Sequence, residues 1–298
     1  MPLPRGASRQ SIDFLIEHLT DGDIIRRQLR AQVDYTAYAL GQLEPGLIER
    51  THWFRAQGET GTGLALHSRG GLGDATFLMG STEAVEAILS IHPGPQQTYL
   101  TCQPQHLDSI RSAYRLSNQQ PMIRMGVKPD EFKPVKRHSA VRLSGLDVRR
   151  INGLYSSDGA PSFYAPEHID TGIYFGVFVE GNLVSIAGTH VVSPQERVAV
   201  VGNVFSHPAA RGRGYATATT SAVTEGLLEM CDTVVLTVDP KNTPAVASYR
   251  RLGYEEKCAL VEASGVRRDP AGLGSFFRRV RAGVRGRRHG RALVSLRR

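Results

Sequence analysis

Arg211-Gly-Arg-Gly-Tyr-Ala216 decides how this chain is read. It follows the apolar run Val198-Ala-Val-Val-Gly-Asn-Val-Phe205 and opens a helix-patterned segment, Thr217 to Met230. A strand, a glycine-rich turn and a helix together form a phosphate cradle. The glycines let the backbone approach an anion closely, and the N–H groups of the first helical turn point at it. A second stretch begins 26 residues on, Asn242-Thr-Pro-Ala-Val-Ala-Ser-Tyr249-Arg-Arg-Leu-Gly253-Tyr254. Either stretch alone is a weak signal; the pair in this order and spacing is strong.

The surrounding pattern places these stretches in a mixed α/β arrangement. From Val141 the order is strand, helix (Leu146 to Leu154), and a loop from Ser156 to Ile169 that holds Pro161 and Pro166. Strands follow at Ile173–Glu180, Leu183–Val192 and Arg197–Phe205, with Gly181-Asn182 as a tight hairpin turn. The glycine turn and its helix come next, then a strand at Thr233–Asp239, a helix at Asn242–Leu252 and a strand from Glu255 to Glu262.

Toward the start, Ile12, Leu15, Ile16 and Leu19 repeat at helical spacing, and Ile24 to Tyr38 continues that pattern. Short strands are expected at Trp53-Phe54, Gly63–His67, Ala75–Met79, Gln97–Cys102 and Met122–Val127, with helices at Glu83–Ser90 and His106–Tyr114. Tyr99-Leu-Thr-Cys-Gln-Pro104 aligns with Val235-Leu-Thr-Val-Asp-Pro240 at an offset of 136, which points to a duplication. In that alignment Ala113 stands opposite Tyr249 and His106 opposite Asn242. The Leu78-Met-Gly-Ser81 turn lacks the arginine–glycine pattern of the second half. The first copy would keep the shape without the cradle. The expected division is therefore 1–130, 138–266 and a tail, 267–298.

The formal charge is +8, but it is unevenly spread. Residues 267–298 hold 11 arginines against Asp269 alone, while the remainder has 25 basic and 27 acidic side chains. The body is thus slightly acidic, and nucleic acid is expected only as nonspecific contact through the tail. That tail reads as a disordered Arg- and Gly-rich segment, with Phe276, Phe277, Val280 and Val284 at helical spacing as the competing reading. No apolar run reaches membrane-spanning length, and no secretory h-region opens the chain, so a cytoplasmic protein without a membrane partner is expected. The three cysteines, Cys102, Cys231 and Cys258, have no metal-ligand spacing.

The two stretches resemble the GNAT superfamily of N-acetyltransferases. Arg211, Gly214 and Ala216 match its Arg/Gln-x-x-Gly-x-Gly/Ala motif, and Pro208 sits where the family often has proline. Asn242, Tyr249, Gly253 and Tyr254 match its downstream element. The layout looks like the two-domain, glycine N-acyltransferase-like branch. The resemblance implies a mixed central sheet flanked by helices, α/β or α+β in class, with a degenerate N-terminal α/β copy. It implies acetyl-CoA as co-substrate and a small primary amine as acceptor, with no metal.

By the same resemblance, Val204, Phe205 and Ser206 would pair with pantetheine amides. Gly212, Arg213, Gly214, Tyr215, Ala216 and Thr217 would hold the pyrophosphate, with Arg213 adding charge. Asn242 would touch the cofactor near pantetheine, and Tyr249 would protonate the departing thiolate. A phenol, with an ordinary pKa of about 10, is protonated at neutral pH and suits that task. The base is less legible: the strand before the turn offers Asn203, so His190, His207, Glu167 and His168 are the candidates, or a water relay. The alternative is a non-catalytic acyl-CoA-binding or regulatory module.

Overall fold

The structure is a computed structural model, and it describes residues 11–69, 73–135, 138–159, 162–286 and 291–297. In chain order its first elements are β1 (Ser11–Leu19), α1 (Gly22–Leu29), α2 (Val33–Gly41), β2 (Thr51–Gly58), β3 (Gly61–Ser68) and β4 (Ala75–Gly80). Next come α3 (Thr82–Ile91), β5 (Gln97–Cys102), α4 (Leu107–Ala113), β6 (Tyr114–Val127), β7 (Val141–Arg142), α5 (Val148–Ser156) and α6 (Pro166–Asp170). Then follow β8 (Phe175–Val179), β9 (Asn182–Ser193), β10 (Val198–Ser206), α7 (Tyr215–Leu228), β11 (Thr233–Val238) and α8 (Thr243–Arg251). The last are β12 (Glu255–Arg267), α9 (Leu273–Gly286) and β13 (Ala292–Arg297).

These elements form two compact units that cut across the divisions read from the sequence. The first comprises residues 1–25, 46–121 and 260–298; the second, residues 26–45 and 122–259. The second unit recruits residues 26–45 for physical reasons. Gly41 of α2 lies so close to Val191 of β9 that a Cβ there would meet Val191 Cγ1 at 2.2 Å. Nearby, Arg26 and Arg30 both donate to the buried Glu196 carboxylate, at 2.7 and 3.1 Å. A buried carboxylate needs such partners, because unpaired it would be costly to desolvate.

In the first unit β13, β1, β2, β3 and β4 are successively antiparallel, β4 and β5 are parallel, and β5 pairs antiparallel with β12. One core gathers Phe14, Ile16, Leu78, Leu100 and Val261 from strands with Val85, Ile88 and Ile110 from α3 and α4. Residues 11–19 form a strand, not the helix their spacing predicts. Ile12, Phe14 and Ile16 also fit a period of two, and β2 and β13 on either side satisfy the strand's backbone. The reading of 267–298 as a disordered tail is likewise corrected. Its described part contains α9 and β13; β13 pairs with β1 from Ser11↔Arg297 to Ile16↔Ala292. Ala282 and Val294 join the core, so apolar burial outweighs the charge of this segment.

In the second unit β6 and β11 are antiparallel, β11 and β10 parallel, and β10, β9, β8 and β7 successively antiparallel. Helices α7 and α8 cover one core, with Val223, Leu227, Val246 and Leu252 against Val201, Val234 and Leu236. A separate cluster joins Ile151 and Leu154 of α5 to Leu183 and Ile186 of β9. Successive side chains of β9, Ile186 and Ala187, thus enter different clusters, as the period of two requires. The β8–β9 hairpin turns on Glu180 and Gly181, both at positive φ (48° and 78°), one residue earlier than expected. Cys102 and Cys231 are buried and Cys258 half-buried.

Candidate active site

The site is built around the end of β10. Its parallel register with β11 runs only from Val198↔Thr233 to Val201↔Leu236. Beyond it β10 bulges: Gly202 pairs with Gly188 but Phe205 with Ile186, so Asn203 and Val204 stand opposite a single residue of β9. Asn203 has φ +54°, a left-handed conformation that asparagine tolerates better than most residues. A second bulge lies in β9, where Val200 pairs with Val191 and Val201 with Thr189, leaving His190 without an opposite residue.

The bulges bring several polar groups together. The His190 ring crowds Gly202, where a Cβ would lie 2.1 Å from Nε2. Although His190 keeps an exposed edge, burial of its ring, and then the Arg124 guanidinium, hold its pKa below the ordinary histidine value. The Tyr155 hydroxyl donates to the Asn203 carbonyl at 2.5 Å, and Asn203 Nδ2 donates to Tyr174 Oη at 3.0 Å. Tyr174 Oη in turn donates to the Thr189 carbonyl at 3.2 Å. Tyr155 stacks on Tyr164 with ring centroids 5.0 Å apart and meets Phe205 in a tilted contact at 5.3 Å. Burial raises the phenol pKa of Tyr155 and Tyr164, and pushes Tyr174 up to about 12, so these groups act as donors at neutral pH. Sequence reading missed this aromatic group; its members come from α5, the following loop and the approach to β8, and no spacing connects them.

After Ser206 the chain makes a short helical turn, Pro208–Ala210, capped by His207 Nδ1, which accepts from the Ala209 N–H at 3.2 Å. Gly212 and Gly214 then take φ +79° and +87°. A Cβ at Gly212 would meet no heavy atom within 4 Å, and at Gly214 the nearest is His138 Nε2 at 3.7 Å. Gly214 is the N-cap of α7 and supplies no side-chain cap. Within the helix, the first N–H groups, from Tyr215 to Thr217, have no carbonyl one turn earlier to bond. The turn is held from outside. Arg211 donates to the Ser206 carbonyl at 3.3 Å and to Asp158 at 3.2 Å, and its guanidinium lies 5.7 Å from the Phe205 ring centroid. His138 Nε2 donates to the Arg213 carbonyl at 3.0 Å, and its ring meets Tyr215 edge-on. Arg213 itself is exposed.

The downstream stretch separates into different roles. Asn242 caps α8, its Oδ1 accepting from the Ala245 N–H at 3.3 Å. Gly253 ends that helix at φ +94°, and a Cβ there would sit 2.0 Å from the Glu131 carbonyl oxygen. Tyr254 is buried, with its hydroxyl 2.8 Å from Thr224 Oγ1. Gly253 and Tyr254 are therefore accounted for by packing. Tyr249 is different. Its ring is buried at 7% exposure and burial pushes its phenol up to about 12, yet among the described residues no hydrogen bond holds its hydroxyl. Glu167 and His168 are exposed on α6, where His168 Nδ1 accepts from the Ala165 N–H at 3.2 Å. A depression of about 440 Å³ takes in Lys133, Arg250, Gly253 and Glu255, but not the 211–217 turn or Tyr249. Among the described residues, no group of three or more His, Cys, Asp or Glu side chains is placed to hold a metal ion.

Residues 146–254 match the family model described as Acetyltransferase (GNAT) family. No curated protein matches the chain. A Drosophila protein solved by X-ray crystallography shares 13% identity with a TM-score of 0.62, over 84% of this chain and 98% of that one. A GCN5-related N-acetyltransferase from Sphaerobacter thermophilus shares 17% identity with a TM-score of 0.52, over 85% and 96%. An acetyltransferase of the GNAT family from Colwellia psychrerythraea shares 10% identity with a TM-score of 0.50, over 84% and 99%. At these identities the likeness to solved structures is one of fold: a mixed sheet flanked by helices, the GNAT fold.

Proposed function

We propose that the second unit is an acetyl-CoA-dependent N-acyltransferase acting on a small primary amine. One observation carries this reading: the open, positive-φ turn at Gly212 and Gly214 joins a strand that has parted from its neighbour to a helix with no side-chain cap. The open space beside both glycines fits a pyrophosphate at a helix N-terminus. Residues 212–217 would hold it through backbone N–H groups, and Val204, Phe205 and Ser206 would offer main-chain groups to the pantetheine arm. Acetyl-CoA supplies the activated thioester that an amine attacks directly.

Tyr249 is the proposed general acid. Its buried ring and unengaged hydroxyl leave a proton available to a departing thiolate. His190 is the proposed base, set at the bulge by Gly202. Its lowered pKa keeps it neutral, and so able to accept a proton, across the neutral range. The Tyr155, Tyr164 and Phe205 rings would receive the apolar part of the acceptor. The first unit is proposed to be a degenerate copy, because β4, α3, β5 and α4 repeat the order of β10, α7, β11 and α8, including the parallel strand pair.

A thiol-release assay with acetyl-CoA across a panel of amines tests this reading. Turnover of at least one amine is expected, with kcat/KM falling as pH drops through a value below the ordinary histidine pKa. His190→Gln should remove that acid limb. CoA binding by calorimetry with no turnover of any amine would instead identify a binding or regulatory module.

A further inference from the structure

Helix α9 is oriented contrary to its composition. Ser275, Ala282 and Gly286 are its buried residues, and Ala282 packs into the core of the first unit. Its large apolar side chains face solvent: Leu273, Phe276, Phe277, Val280 and Val284 are 50% to 67% exposed. At 3.6 residues per turn these five fall within an arc of roughly 100°, about opposite the buried face. Arg281 and Arg285 border the stripe on one side and Arg279 on the other, all exposed. A helix on a folded domain ordinarily turns its apolar stripe inward; here the stripe is displayed and framed by cations.

We propose that α9 is a peripheral membrane anchor that lies flat on an anionic lipid surface. The apolar stripe would enter the acyl boundary while the arginines meet headgroup phosphates. This replaces the expectation of no membrane partner and does not depend on the acyl-transfer reading. The charge pattern selects the occupant. No acidic residue occurs between Leu273 and Arg298, so a second copy would set like charges together. A nucleic acid would match the arginines but leave five large apolar side chains in water. A bilayer surface accommodates both. At 14 residues the helix is about 21 Å long, too short to span a bilayer core. Among the described residues no helix is long and apolar enough to cross a membrane.

The test is co-sedimentation of the full chain with phosphatidylcholine vesicles, with and without phosphatidylglycerol. Binding is expected to the anionic vesicles, weakened by salt, and to be much weaker with phosphatidylcholine alone. Phe276→Ser with Phe277→Ser should lower the partition coefficient about tenfold or more through lost apolar burial. Arg281→Gln with Arg285→Gln should lower it about tenfold and flatten the salt dependence. Because all four positions are exposed, thermal unfolding should match the parent in both variants. The proposal is overturned if the parent ignores anionic vesicles, or if both double variants bind them like the parent. Capture of the parent by an oligonucleotide or by polyglutamate, with the vesicles left free, would overturn it as well.

Discussion

Two strand-to-helix turns in this molecule look alike in topology and differ in what they leave open. At the β4–α3 turn, Gly80 has φ +106°, and a Cβ there would meet the Thr62 carbonyl oxygen at 2.2 Å. Ser81 then caps α3, its Oγ accepting from the Ala84 N–H at 3.4 Å, while its own N–H donates to Thr62. The helix start is closed by its own side chain and the neighbouring strand. At the β10–α7 turn a longer loop carries two positive-φ glycines with open space beside them and no capping side chain. The α3 start has a side-chain cap on one of its first N–H groups, whereas the α7 start has none. The tyrosines show the same contrast. Tyr114 in the first unit donates to the carbonyls of Pro93 and Pro95, whereas the Tyr249 hydroxyl in the second is unengaged among the described residues.

The sharpest test of the contrast is Tyr249→Phe. It should reduce kcat by roughly 10²- to 10⁴-fold, the range of a lost general acid, with almost no change in urea midpoint because no hydrogen bond is lost. Normal turnover would remove Tyr249 from the mechanism. Next in size is the acid response of the first unit. Burial holds the His67 pKa down to about 4 and that of His92 to about 3, with nearby cationic groups adding to the effect on His92. The folded state therefore resists protonation that the unfolded chain accepts near pH 6.5. Stability is complete above that pH and is lost as pH falls toward 4, by about 3 kcal/mol for His67. Urea unfolding as a function of pH would show this slope, and His67→Gln should flatten it.

A paired glycine substitution comes third. Gly80→Ala should cost about 2 kcal/mol or more of stability, from its positive φ and its contact with Thr62, and leave CoA affinity unchanged. Gly212→Ala, strained but in open space, should cost about 1 kcal/mol of stability and weaken CoA binding about tenfold, read by calorimetry. Equal effects on affinity would erase the distinction between the two turns. The smallest expected change is Ser81→Ala, about 1 kcal/mol from a lost cap, with turnover intact.

The second unit was largely legible because its cues are local. The glycine turn, the hairpin and the capped α8 each announce themselves within a few residues. The first unit was less so. Residues 11–19 fit both periods, and only the pairing with β2 and β13, distant in sequence, decides for a strand. The segment 267–298 looked unstructured by charge, since nothing local reveals that Ala282 and Val294 reach a core. At the site, the motif positions could be read directly. The bulges that set His190 against Gly202 and join Asn203 to Tyr155 and Tyr174 could not, because they arise from strand register. Gly253 and Tyr254 matched a motif, yet their environment explains them as packing.

The pairing of β13 with β1 also sets a timetable. During synthesis the second unit's chain is complete at Ala259, before the last strand of the first unit leaves the ribosome. Of the described strands, β1 must wait for β13, Ser11 for Arg297. The second unit can thus close early, while the first pays its loop-closure entropy late and exposes the edge of β1 until then.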